Sequence, residues 1–348
     1  MKSGHQDSTQ KVTHAYFIAF LSAVAAVGMN LTDAYISRNV ITVPEGESKV
    51  VAACVYLTLG GVLGSIIFLT FACSPLGNIL DPEYTKLRRG SVQFQKDAFI
   101  SGSTGALSTG IYLYALQKGF DVAMVTVLGS SKILWCIAYE YWHERRKSPS
   151  HGLLRGIVGP AILLVAGMWV SEKVTSFVFE AFLLICVAGS LCAGISNTHE
   201  KFAIDQTDGI VTSVWRFMYL GTFGTLVSIF FAWQTGKIKL YVSLLGEKAL
   251  PALLPVGILM TFAFITSSLG SRAKKELTMG ASRVALITQL SFVGVLIGLS
   301  IIQFGLGRTE FGQLPTDSLL LVRKVLGAAI ITASVIWMVN TRGRYKRK

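Results

Sequence analysis

Two basic residues stand inside stretches that are predicted to cross a membrane, where a charge is costly. Lys132 lies about twelve residues, or roughly 18 Å, into a predicted span at 120–142. An ammonium at that depth costs several kcal/mol unless it faces water, a counter-ion or an anionic solute. We therefore expect a functional lysine that faces a cavity, with a structural ion pair inside the bundle as the alternative. Arg216 lies only two turns into another predicted span, so it could serve the same site or extend to the membrane surface.

Uncharged polar residues in the predicted spans would complete such a cavity. In lipid, hydroxyl and amide groups prefer helix interfaces or a water-filled path, and a tyrosine can also stack on an organic solute. Asp33, near the end of the first span, is expected to be a solvated or paired surface carboxylate, with proton coupling as the less favoured role. The predicted solute-binding residues are Lys132, Asn30, Tyr112, Tyr114, Ser131, Arg216 and Gln289, and further candidates for the cavity wall are Ser130, Asn197, Thr288 and Ser291.

The elements that would position these residues are long apolar helices. With 52% hydrophobic and 15% charged residues, the composition is too apolar for an ordinary soluble domain. A helix needs about 20 residues to cross the hydrocarbon layer, and helices satisfy their own backbone hydrogen bonds there. The sequence therefore predicts an all-α polytopic membrane protein with ten transmembrane helices, at roughly 14–36, 50–73, 97–117, 120–142, 153–171, 176–199, 209–233, 249–270, 281–304 and 319–340.

An internal repeat relates the two halves of the chain. The segment Leu153–Val170 (LLRGIVGPAILLVAGMWV) aligns with Leu321–Met338 (LVRKVLGAAIITASVIWM) at one constant offset, with identical residues at six positions. Each copy would close a half with five spans. Because five is odd, the halves would insert with opposite orientation, as in many secondary transporters. We expect a first five-helix repeat at 1–173 and a second at 174–348, which ends in a basic tail.

The charge distribution predicts orientation rather than a nucleic-acid partner. Of the 32 lysines and arginines, 20 fall on the side of the predicted N-terminus and 10 on the other side. The positive-inside rule then places both termini in the cytoplasm. We expect a multi-pass protein of the cell membrane (the inner membrane), with an organelle membrane as the alternative. Motifs for zinc hydrolases, serine hydrolases and P-loops are absent, so we expect neither an enzyme nor a cofactor.

The stretches YALQKGFDVAMVTVLGSSKILW and YEYWHERRKSPSHGLLRGIVGPAILLVAGMW resemble the drug/metabolite transporter superfamily in its EamA-like ten-helix form. Ala115 and Leu116 before a tight turn, Glu144 at a helix end and Gly159 in the fifth helix occupy the places of the family pattern. The segment Lys132-Ile133-Leu134 also resembles the fourth helix of nucleotide-sugar transporters. That resemblance implies that Lys132 meets a carboxylate or phosphate of the solute.

Three functions are consistent with these observations. The leading interpretation is a secondary active transporter that moves a small organic metabolite (an amino acid, an amphipathic metabolite or an organic anion) by alternating access. An exchanger of nucleotide-sugars or phosphorylated solutes is the alternative within transport, and a lipid-modifying enzyme or assembly factor is the alternative outside it. The expected partners are a small solute, the lipid bilayer, and protons or a counter-solute, but no nucleic acid. The expected state is a monomer or homodimer.

Overall fold

The computed structural model describes residues 3–43, 47–120, 122–129, 131–144, 159–163, 165–167, 182–276 and 281–345. Within these ranges the chain forms helices and turns without any β-strand, which confirms the predicted all-α class. The helices are α1 (Ser3–Tyr35, continued by a π-helical turn at Ile36–Val40), α2 (Lys49–Ala72), α3 (Pro75–Leu80), α4 (Val92–Gln117), α5 (Val122–Gly129), α6 (Lys132–Glu144), α7 (Ser190–Ile204, preceded by a π-helical segment at Phe182–Gly189), α8 (Gly209–Gln234), α9 (Ile238–Glu276), α10 (Ala281–Thr288), α11 (Leu290–Ser300, continued by a π-helical turn at Ile301–Gly305) and α12 (Ser318–Tyr345).

Six helical segments are long and apolar enough to cross a membrane, which fits the predicted membrane class. They coincide with six of the ten predicted spans and lie at Thr13–Val40, Lys49–Ala72, Gly209–Gln234, Ile238–Glu276, Val284–Gly305 and Ser318–Trp337. Among the others, α4 is long enough, but it carries many serines and glycines in addition to Lys96 and Asp97. The span predicted at 120–142 is divided between α5 and α6. Most of the span predicted at 153–171 lies outside the described residues.

The helices alternate in direction, so their ends meet at two opposite faces of the bundle. At one face, which we call the His14 end, the His14 ring nitrogen Nδ1 lies 3.2 Å from a carboxylate oxygen of Glu276, at the end of α9. At the opposite end, the Lys237 amine lies 3.0 Å from the Glu47 carboxylate. These two contacts show which helix termini lie together.

Close helix packing in the centre depends on glycine. α2 packs along α8, and a Cβ atom on Gly221 of α8 would lie only 2.5 Å from the carbonyl oxygen of Gly61 in α2. Neither position has room for a side chain, so the two backbones touch. α1 packs along α9, and α4 packs along α7. α8 also contacts α4, and α2 contacts α9.

Two of the predicted spans are interrupted near their middle by a tight turn. Between α5 and α6, the Ser131 amide donates to the Leu128 carbonyl (3.2 Å) in place of a regular helical bond. Between α10 and α11, the Gln289 amide donates to the Leu286 carbonyl (3.2 Å) in the same way. A polar residue stands at each interruption, and Lys132 is the first residue of α6.

The described part of the fifth predicted span contacts α12, the helix that carries the second copy of the repeat. A Cβ atom on Gly159 would lie 3.0 Å from the Trp337 ring, and one on Gly167 would lie 2.9 Å from the Gly327 carbonyl oxygen. These contacts fit two antiparallel helices. The repeat residues Leu153, Arg155 and Trp169 lie outside the described residues.

Candidate solute-binding cavity

A cavity of about 390 Å³ lies in the centre of the bundle. Its wall includes residues of α1, α2, α4, α5 and α6 from the first predicted half, and of α7 to α11 from the second. The volume falls within the range of pockets that take small organic molecules. Most of the wall is apolar, and its charged groups are concentrated in a few places.

The largest charge cluster in the wall is organised around Glu200. This side chain of α7 is only 2% exposed. One of its carboxylate oxygens lies 3.0 Å from the Nη1 atom of Arg216 and accepts a hydrogen bond from the Ser271 hydroxyl at 2.9 Å. The other oxygen accepts a hydrogen bond from the Lys274 amine. Two cations therefore share one buried carboxylate, and we call Glu200, Arg216 and Lys274 the buried ion cluster.

The helical hairpin α7–α8 explains how Glu200 and Arg216 meet. α7 ends four residues after Glu200, and α8 starts seven residues before Arg216, so the two residues lie at similar depth. The turn is fixed by Asp208, whose carboxylate accepts a hydrogen bond from the Val211 amide at 2.8 Å and caps α8. Burial raises the pKa of this capping carboxyl above its usual value of 3.8.

A second polar network holds α7 against α4 and α6. The Asp97 carboxylate lies 2.9 Å from the His199 ring nitrogen Nδ1, and it also accepts hydrogen bonds at 3.0 Å from the side-chain amides of Gln93 and Gln206. The other His199 nitrogen lies 3.1 Å from the Tyr139 hydroxyl. Because His199 directly precedes Glu200, this network orients the part of α7 that carries the buried ion cluster.

Lys132 lines the same cavity beside the buried ion cluster. It interacts electrostatically with Glu200, Arg216 and Lys274, and its backbone lies against Gly194 of α7, where a Cβ atom would be 3.3 Å from the Lys132 carbonyl oxygen. Within the described ranges its ammonium has no hydrogen bond and no ion pair. Three cations therefore accompany one carboxylate in this part of the wall, which leaves an excess of two positive charges.

Arg216 points inward, towards Glu200. Its Nη2 atom donates to the Ser196 hydroxyl at 3.1 Å, and that hydroxyl donates to the Ser101 carbonyl at 2.7 Å. The Nε atom of Arg216 is buried and has no hydrogen-bond partner in the described structure. Of the two interpretations that the sequence allows for Arg216, the geometry agrees with the one inside the cavity.

Asp33 contradicts the expectation of a surface carboxylate. The residue is 8% exposed and lines the cavity. One carboxylate oxygen accepts a hydrogen bond from the Tyr56 hydroxyl at 2.5 Å, and no basic side chain in the described part of the chain pairs with it. The Tyr112 hydroxyl, also in the wall, is buried without a hydrogen-bond partner among the described residues. The expectation failed because the helix continues past Asp33 into the π-helical turn at Ile36–Val40, and Asp33 is buried against Tyr56 of α2.

The other predicted solute-binding residues divide into two groups. Asn30, Tyr112 and Gln289 line the cavity, as Lys132 and Arg216 do. Tyr114 and Ser131 are not in its wall. The ring of Tyr114 lies 5.7 Å from the Lys118 amine near the end of α4. The Ser131 hydroxyl donates to the Ser190 hydroxyl at 2.7 Å and joins the turn before α6 to α7. Among the further candidates, Asn197, Thr288 and Ser291 line the cavity and Ser130 lies outside the described residues.

Sequence reasoning missed Glu200, Lys274 and Tyr56. The predicted spans end at 199 and 270, so Glu200 and Lys274 were counted with the loops. In the structure α7 continues to Ile204 and α9 to Glu276, and both charged residues are buried. A carboxylate one residue beyond a predicted span end and a lysine four residues beyond another are the signal that could have suggested an ion pair.

Comparison with known proteins adds information about the fold alone. No family model and no curated protein matches the chain. Twenty-seven chains of solved structures match it. One, described only as "Crystal structure of protein", aligns with a TM-score of 0.51 at 16% identity and covers 97% of this chain and 99% of its own. The whole helical arrangement is therefore similar to that of a solved structure.

Proposed function

We propose that this chain is a secondary transporter that moves a small organic anion across a membrane by alternating access. The observation that carries the proposal is the excess of cations over carboxylates at one place in the cavity wall. Lys132, Arg216 and Lys274 surround one acidic residue, Glu200. Unpaired charge inside a membrane is expensive, and a solute with a carboxylate or phosphate would neutralise it.

The position of Lys132 supports its role as the main anion ligand. Arg216 and Lys274 are already bonded to Glu200, whereas the Lys132 ammonium has no partner within the described residues and lines the cavity. It also stands at the first turn of α6, and the N-terminal end of a helix favours negative charge. Interrupted helices whose ends face a central site are common in secondary transporters.

The pattern of helix packing supports two inverted halves. If α1, α2, α4, α5 and α6 are matched in order with α7, α8, α9, α10 and α11, the most extensive contacts between the two sets have counterparts. The α1–α9 contact corresponds to α4–α7, α2–α9 to α8–α4, and the contact of α1 with α10 and α11 to that of α7 with α6. The α2–α8 pair corresponds to itself. Such pairs are expected for a pseudo-twofold axis in the membrane plane. We propose the ten-helix, drug/metabolite transporter-like arrangement on this basis.

Alternating access needs two faces that open in turn. At the His14 end, the last turn of α9 contacts other elements through Lys275 with Glu83 (2.7 Å) and Arg272 with the Leu80 carbonyl (3.1 Å). At the opposite end, the Gln117 side-chain amide donates to the Ile41 carbonyl at 2.8 Å. In the proposed cycle these two sets of contacts would break alternately.

The experiment is transport in proteoliposomes loaded with a panel of carboxylates, inorganic phosphate and phosphate esters. We expect Lys132→Gln to weaken apparent affinity for the transported anion by about 10–100-fold, because a hydrogen bond to a charged group contributes about 1.5–3 kcal/mol. Lys118→Gln is the matched control, because Lys118 is exposed at the end of α4. We expect this variant to transport the anion as wild type does.

Each outcome has a distinct meaning. Anion flux that is equal in wild type and Lys132→Gln would refute the role of Lys132. Flux that needs the anion on both sides would indicate an exchanger of phosphorylated or nucleotide-linked solutes. The absence of flux for every anion tested, with properly reconstituted protein, would refute the transport proposal and favour a membrane protein of another class.

A further inference from the structure

Asp33 is a buried carboxyl that lies apart from the buried ion cluster. It stands near the end of α1 that leads to the π-helical turn, whereas Glu200, Arg216 and Lys274 lie towards the His14 end of their helices. Lys132 interacts electrostatically with that cluster. The role of Asp33 must therefore be explained from the groups that surround Asp33 itself.

The groups around Asp33 do not neutralise an ionised carboxylate. From α2, Tyr56 donates one hydrogen bond to it, and from α4 the Tyr112 hydroxyl interacts with it electrostatically. Within the described part of the chain, these are the ionisable groups that face Asp33. α9 and α11, which also pack on α1, contribute apolar contacts five to six residues before Asp33, with Phe262 against Gly28 and Gly294 against Val27.

A carboxylate has about four acceptor sites, and the structure supplies one clear donor. Burial of an ionised carboxylate with so little compensation is unfavourable, and such a group becomes stable when it takes up a proton or a cation. The residue is 8% exposed, so the species that reaches it must be small. A hard metal cation takes about six oxygen ligands, and the side chains of Asp33, Tyr56, Tyr112 and Asn30 carry five, so such a cation would need further oxygens, whereas a proton needs none. The surroundings favour a proton.

We propose that Asp33 is a proton-binding site that couples anion transport to the proton gradient. The inference depends on the proposed transport function and adds its driving ion. Asp33 takes a proton from one side as an O–H bond forms on its carboxylate, and it releases that proton to the other side after the bundle reopens. A proton that travels with an anion also reduces the net charge moved through the bundle.

The test uses proteoliposomes containing the full chain and an anion that wild type transports. We expect a pH gradient, acidic on the side of uptake, to drive accumulation of the anion in wild type. Asp33→Asn should lose this accumulation by about tenfold or more, because an amide cannot bind and release the proton, while anion exchange at equal pH persists. Asp317→Asn is the matched control, since Asp317 is exposed and asparagine can also cap α12.

Several results would overturn the proton site. One is anion transport by wild type at a rate that does not depend on the pH gradient. The others are accumulation driven by a sodium gradient and full pH-driven accumulation in Asp33→Asn. If Asp33→Asn carries out neither exchange nor accumulation, Asp33→Glu decides, because restored pH-driven transport supports the site and continued inactivity refutes it. Absence of anion transport in wild type would instead refute the proposed function. The two failures are therefore distinguishable.

Discussion

Glu200→Gln removes the charge that Arg216 and Lys274 share and keeps the shape of the side chain. In the native protein the carboxylate is bonded to both cations and to the Ser271 hydroxyl. The amide oxygen of glutamine can still accept the hydrogen bond from Ser271. It cannot compensate the two positive charges, which stay buried beside a third cation, Lys132.

The expected loss of stability follows from this imbalance. Breaking a buried ion pair by removing one partner typically costs about 3–5 kcal/mol, because an uncompensated charge remains. Both side chains that pair with Glu200 are largely buried, with exposures of 21% for Arg216 and 7% for Lys274. Solvent screening is therefore weak, and a penalty in the usual range is expected for the variant.

The assay is thermal unfolding of purified protein in detergent, followed by the double variant Glu200→Gln/Lys274→Met. We expect the single variant to lower the unfolding midpoint by roughly 5–10 °C, using about 2 °C for each kcal/mol. The double variant should recover about 1–2 kcal/mol relative to additivity, since the two residues are in direct contact. Inorganic phosphate should raise the midpoint of Glu200→Gln more than that of wild type, because binding stabilises the folded state.

The reasoning would be refuted by a Glu200→Gln variant that unfolds at the wild-type temperature. Strict additivity in the double variant would show that Glu200 and Lys274 are not coupled. An unfolding midpoint of Glu200→Gln that does not change with phosphate would contradict the claim that excess positive charge in this cavity attracts anions. Lys132→Gln, combined with Glu200→Gln, should remove the added response to phosphate.

Two further predictions test the packing and the closure of the His14 end. Gly221→Ala should lower the free energy of unfolding by about 1–3 kcal/mol, because its Cβ atom would lie 2.5 Å from the Gly61 carbonyl oxygen. Gly246→Ala is the control and should not destabilise the protein, because no atom lies within 4 Å of its Cβ position. Equal unfolding midpoints for the two variants would contradict this reasoning. The hydrogen bond from Lys275 lowers the pKa of Glu83 below its usual 4.5, so this exposed pair stabilises the folded state above that pH and loses its effect as pH falls. Lys275→Gln should therefore be less stable than wild type by at most about 1 kcal/mol at neutral pH, and urea titrations should show the difference vanishing in acid; a difference that grows in acid would refute the assignment.

Most of the fold follows from local sequence properties. Hydrophobic length alone locates six helices that the structure confirms as candidate membrane spans, since a helix that crosses lipid must be long and apolar whatever it packs against. The same criterion failed at α7 and α9, which continue past the predicted boundaries to include Glu200 and Lys274. Charged residues end an apolar stretch in sequence, but a helix continues when another helix supplies the counter-charge.

The cavity residues could be predicted only in part. Lys132 and Arg216 were found because charge inside an apolar span is conspicuous and costly. The candidates Tyr112 and Tyr114 lie two residues apart on one helix, and sequence could not tell which of them faces the centre. Residues two apart on a helix point in different directions, so the rotation of α4 about its axis determines which tyrosine faces the cavity. The packing of α4 against its neighbours sets that rotation.

By itself, the sequence determined that this chain is helical, apolar and internally repeated, and that a lysine stands deep within it. These properties depend on composition and on spacing along one chain, and they hold before any helix meets another. Only the tertiary structure decided that Lys132 stands beside Glu200, Arg216 and Lys274, and that Asp33 is buried against Tyr56. These groups come from different helices, and their charges become compatible with a membrane interior only once the helices have packed.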